Sequence, residues 1–133
     1  GAIRHARFGM PRAAVTRMLA AALGDPIEES DNQECGAGAL GMASFRDGLG
    51  VYFEGDKFAG WDLDGGDAGR FTTAAGIGIG ATRKQLESAI AVTIEDSTLG
   101  IEFSAGGMSG LLSSRDAKGE ITNLWAGTTC IAR

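Results

Sequence analysis

The residues whose types and spacing come nearest to chemistry lie between Asp62 and Asp96. Gly76-Ile77-Gly78-Ile79-Gly80-Ala81 satisfies G-x-G-x-x-[G/A], a turn that brings backbone N–H groups against a pyrophosphate. Glu95 and Asp96 follow about 20 residues on, where a ribose hydroxyl would want an acid. That chemistry also needs a buried strand before the turn and a parallel βαβ array around it. Thr72-Thr73-Ala74-Ala75 is no such strand, so the glycines are read as letting a helix pack closely on a sheet. Asp62-Leu63-Asp64-Gly65-Gly66-Asp67 has the alternating acids of a calcium loop. However, Gly66 stands where a ligand is needed, Asp67 where the loop needs glycine, and no glutamate closes it. It reads as a solvated turn. Ser109, in Gly106-Gly107-Met108-Ser109-Gly110, is only a loose version of the Gly-x-Ser-x-Gly elbow. His5 is the single histidine and sits near a terminus. The carboxylate pairs Glu28-Glu29 and Glu95-Asp96 have no spacing that makes one an acid and the other a base. No catalytic residue, metal ligand or cofactor is therefore assigned, and the chain is expected not to be an enzyme.

The elements that hold these residues must fit into 133 residues with a net charge of −5, about one domain. An acidic balance argues against a nucleic-acid partner, which would need a basic stripe. The 22 glycines exceed the usual share more than twofold, yet two prolines and no G-X-Y period exclude a collagen-like chain. No run is long and apolar enough for a membrane span, and Arg17 breaks the greasiest stretch, Ala13 to Leu23. No secretory leader is visible, and one is presumed removed, with Gly1 a remnant. Cys35 and Cys130 lack metal-ligand spacing and a histidine pair. They are either buried thiols or a disulfide, and the disulfide is expected. In the chain-entropy account, closing so long a loop is worth up to about 4–5 kcal/mol.

Val15, Met18, Leu19, Ala22 and Leu23 recur at helical spacing, with Pro11 at the start and Gly24 and Pro26 at the end. A second, shorter helix carries Leu86, Ala89 and Ile90, and Thr82 with Gln85 forms a capping-box pattern. Three blocks repeat in order. Phe8–Val15 matches Ile79–Leu86, Leu49–Phe53 matches Leu99–Phe103, and Gly55–Trp61 matches Gly119–Trp125. Asp47-Gly48 between apolar runs signals a hairpin. Alternation buries Leu49, Val51 and Phe53 and sends Tyr52 and Glu54 to the opposite face.

The expected fold is α+β: two tandem repeats, each a helical element followed by an antiparallel meander, with the sheet packed on helices. Residues 1–69 would form the first repeat and 70–133 the second, in one compact unit. An apolar-Gly-x-x-Arg turn opening a helix before a sheet, repeated in tandem, resembles the β-lactamase-inhibitor-protein fold. The same unit, taken singly, resembles the small SmpA/OmlA-type outer-membrane assembly lipoproteins. Phe71–Gly80 and the ending Ile121–Trp125 followed by Cys130 are similar to stretches of secreted or lipid-anchored bacterial proteins. A lipid-attachment cysteine near the start is missing, which a trimmed N-terminus and a lost anchor would explain. The resemblance implies a periplasmic or extracellular location and a protein-binding role, without any residue-level mechanism. The expected partner face is Tyr52, Glu54, Trp61, Glu102 and Trp125, with both tryptophans open to a core or a surface reading. The alternative function is a small ligand or metal held in the groove between the two repeats.

Overall fold

The computed structural model describes residues 6–35, 38–64 and 76–130, those at 32–35, 38 and 39 by their backbone. Along the chain run α1 (Arg12–Leu23), β1 (Glu28–Cys35), β2 (Gly38–Phe45), β3 (Leu49–Glu54) and β4 (Lys57–Leu63). After these come α2 (Arg83–Ala89), β5 (Thr93–Ser97), β6 (Gly100–Ala105), β7 (Met108–Leu112) and β8 (Ile121–Gly127). All eight strands join one antiparallel sheet in the order β1-β2-β3-β4-β8-β7-β6-β5.

This corrects the expected architecture of two helix-plus-meander repeats packed on their helices. The sheet dominates, and the two helices are short, 12 and 7 residues. The physical reason lies at the centre. The second edge of β4 pairs with β8, Gly60 to Gly127 through Leu63 to Leu124, so neither set of strands ends on a free edge there. The block matching is corrected as well. Leu49–Phe53 forms β3 between β2 and β4, whereas Leu99–Phe103 runs into β6 between β5 and β7, a different place in the sheet. The third block does hold its place, since Gly55–Trp61 and Gly119–Trp125 run into β4 and β8, the last strand of each half, and the turns before the helices correspond as well. Gly9 donates to Phe58 O at 2.8 Å and Gly80 to Ile121 O at 2.9 Å, both glycines at positive φ.

Both helices lie on one face of the sheet. Val15, Leu19 and Leu23 of α1, at i, i+4 steps, and Leu86 of α2 join Phe45, Val51, Phe53, Phe58, Phe103 and Leu124 in one core. Ala22 and Ala89, expected in the buried stripes, are exposed. Thr82 and Gln85 form the full capping box at the start of α2. The hairpin at Asp47-Gly48 is present as a three-residue turn, with Asp47 at φ 67 and Gly48 at φ 82.

Candidate functional site

Strand register assigns each expected partner-face residue to a side. Tyr52 pairs with Met42 and Gly60, Trp125 with Asp62 and Ser109, and Glu102 with Leu111 and Glu95. These three, with Glu54, lie on the face away from the helices. Trp61 is paired with Val51 and Ala126, and it packs, half-buried, against the core on the helix side. The two tryptophans aligned in sequence therefore point to opposite faces. Of the five residues only Glu54 is exposed: Tyr52 is 5%, Glu102 3% and Trp125 7% accessible. The open face is thus largely covered already.

Part of that cover is the chain itself. Gly127, at φ 71, ends β8, and Thr128 turns back to donate to Ala59 O at 2.9 Å. Its carbonyl lies over Gly60, where an added Cβ would stand 1.9 Å from it. Cys130 then packs with Leu40, Met42 and Tyr52 in a small second apolar cluster. The Tyr52 hydroxyl donates to Asp62 Oδ2 at 2.6 Å and accepts the Cys130 backbone N–H. Burial raises the Tyr52 phenol far above its ordinary value, reinforced by the Asp62 hydrogen bond and charge. Burial also raises Asp62, with Asp64 adding to the shift, against the hydrogen bonds from Tyr52 and the Gly50 N–H. Cys130 is a disulfide cysteine, and the side chain of its expected mate, Cys35, lies outside the described residues.

The motifs weighed for chemistry find other uses. The Gly80 N–H is taken by Ile121 O, and the stretch before Gly76 lies outside the described residues. Asp62 is engaged by Tyr52, and no cluster of three metal-ligating side chains occurs among the described residues. Ser109 sits inside β7, paired with Ser104 and Trp125, and not on a strand-to-helix elbow.

An accessible concavity among the described residues lies elsewhere. A groove of about 780 Å³ runs between α1 and the start of β1. It is lined by the apolar Pro11, Ala13, Ala20 and Pro26 and by the charged Arg12, Arg17, Asp25, Glu29 and Asp56. It belongs to the first half of the chain, not to the seam between β4 and β8. Thr16 also lines it, and the Thr16 Oγ1 is buried without a hydrogen-bond partner. Ile27, between the lining residues Pro26 and Glu29, is 72% exposed.

Arg12 closes one end of the groove. Its guanidinium lies 5.0 Å from the Phe53 ring centroid, 3.2 Å from Asp31 Oδ1 and 3.7 Å from Asp56 Oδ1. Gly41 makes room for it, since a Cβ there would stand 2.3 Å from Arg12 Nη1. Sequence reasoning used Arg12 only as a repeat marker and did not single out Thr16 or Ile27. The available signal was a helix face of small residues, Ala13, Thr16 and Ala20, beside the apolar stripe. The chain matches no protein-family model, no curated protein and no solved structure.

Proposed function

We propose that the chain is a non-enzymatic exported protein, periplasmic or at the cell envelope, that binds another protein through the α1–β1 groove. The observation that carries this reading is the make-up of the groove. Small apolar groups and charges of both signs line it together, the mix of apolar and polar groups found in protein-recognition surfaces. A one-sign ligand would be repelled by the charges of its own sign. The disulfide state of Cys130 supports an oxidising compartment.

The test is differential capture from an envelope extract of the source cells, using the wild-type chain, Ala20→Glu and Glu54→Gln as baits. A partner retained by wild type and by Glu54→Gln but lost by Ala20→Glu supports the groove. Equal capture by all three overturns it, as does capture by none.

A further inference from the structure

The segment 128–130 lies across the strands rather than along them. From Gly127 at the end of β8 it passes over Gly60 of β4, then Tyr52 of β3, and reaches Leu40 of β2. Each crossing has a dedicated contact: the Thr128 N–H to Ala59 O, the Thr128 carbonyl in the space left by Gly60, and the Cys130 N–H to the Tyr52 hydroxyl. Cys130 is disulfide-bonded, and the only other cysteine, Cys35, ends β1, the next strand outward. The segment therefore travels from the middle of the sheet toward its edge. It adds no strand to the sheet and no residue to the main core cluster.

We infer that Cys130 is bonded to Cys35, that residues 128–130 are thereby a disulfide-locked strap over the open face, and that a dithiol releases it to uncover Leu40, Met42 and Tyr52. In that step the dithiol gives two electrons and two protons to the Cys35–Cys130 bond. Two thiols form on the chain, and the reductant closes to its own disulfide. No residue of the strap belongs to the main core on the helix side, so the sheet stays folded. The surface laid bare is an apolar strip with one phenol at its centre. This goes beyond the groove reading, because it concerns the opposite face and needs no partner.

Tyr52 is the only tyrosine, so phenolate absorbance reports this site alone. Titrating the full chain before and after dithiol treatment should move phenol ionisation down by at least about one pH unit, toward the ordinary value of about 10. Amide hydrogen exchange at neutral pH gives the second readout. Reduction should speed Thr128 and Cys130 about tenfold or more while leaving Val51 and Phe103 protected. Coincident phenol titrations overturn the proposal. An equal gain in exchange at Val51 also overturns it, because the disulfide would then be a staple for the whole fold. Two alkylatable thiols in the untreated protein would remove the lock itself.

Discussion

Tyr52 and Asp62, on neighbouring strands of the open face, are joined by a 2.6 Å hydrogen bond in which the phenol donates to the carboxylate. Gly50 makes this possible. A Cβ at that position would stand 2.4 Å from Asp62 Oδ1, so the carboxylate lies flat against β3 and takes the Gly50 N–H as well. Removing the phenol hydroxyl leaves a half-buried carboxylate short of a donor. Tyr52→Phe should cost about 1–2 kcal/mol in chemical denaturation at neutral pH.

The pH dependence of that pair has a definite sign. Asp62 is raised above its ordinary 3.8 in the fold, so the folded chain holds this proton more tightly than the unfolded one. Its contribution is greatest below 3.8 and is lost as pH rises through the elevated value. Tyr52, raised from 10.0, acts in the same sense in alkali: stability falls as pH climbs past 10, where the unfolded phenol ionises first. Asp62→Asn should flatten the acid portion of a stability–pH curve relative to wild type, and Tyr52→Phe the alkaline portion.

Two glycines with different surroundings should respond differently to alanine. At Gly60 the new methyl meets the Thr128 backbone carbonyl, so Gly60→Ala should cost about 2–3 kcal/mol or displace the strap. At Gly107 the space is open and only the φ of 80 is unfavourable, which costs about 1 kcal/mol. Denaturation midpoints at unchanged slope measure the difference, and a larger loss at Gly107 would contradict the packing argument.

Arg12→Ala should destabilise by about 1–2 kcal/mol, with most of the loss surviving in high salt. Its ion partners Asp31 and Asp56 are largely exposed and screened, whereas the stacking on Phe53 is not. Arg12→Lys keeps the charge but not the planar stack, so it should recover only a minor part.

The short helix α2 rests on one fully buried side chain. Leu86→Ala should cost about 2–4 kcal/mol, and Thr82→Ala, which removes the capping box, about 1 kcal/mol. Thermal melts of both variants check the ratio.

Local punctuation was legible in the sequence. The capping box at Thr82, the turn at Asp47-Gly48 and the helix stop at Gly24 each follow from side-chain chemistry acting over a few residues. So did the placement of Tyr52, Glu54 and Glu102 on the face away from the helices, since alternation is a local rule. The sheet order was not legible, because the partner of β4's outer edge is chosen by a strand far along the chain. Trp61 and Trp125 were aligned by identity, but the turn contacts of Gly9 with Phe58 and of Gly80 with Ile121 set the two strands one residue differently, which puts Trp125 where Asp62 stands. One residue of shift turns a side chain to the other face. The covered state of Tyr52 and Trp125 was equally hidden, since alternation assigns a face without telling what lies on it. The groove was missed because Ala13, Thr16 and Ala20 look like filler on a helix surface.

The seam between β4 and β8 also governs when the fold can form. Its paired residues, Gly60–Leu63 and Leu124–Gly127, lie roughly 60 residues apart, the kind of distant closure that slows folding. During synthesis β4 leaves the ribosome with one edge unpaired and waits for a strand not yet made. Lys57 and Asp62 place charges along that waiting strand, which discourages other chains from pairing with it in the interval.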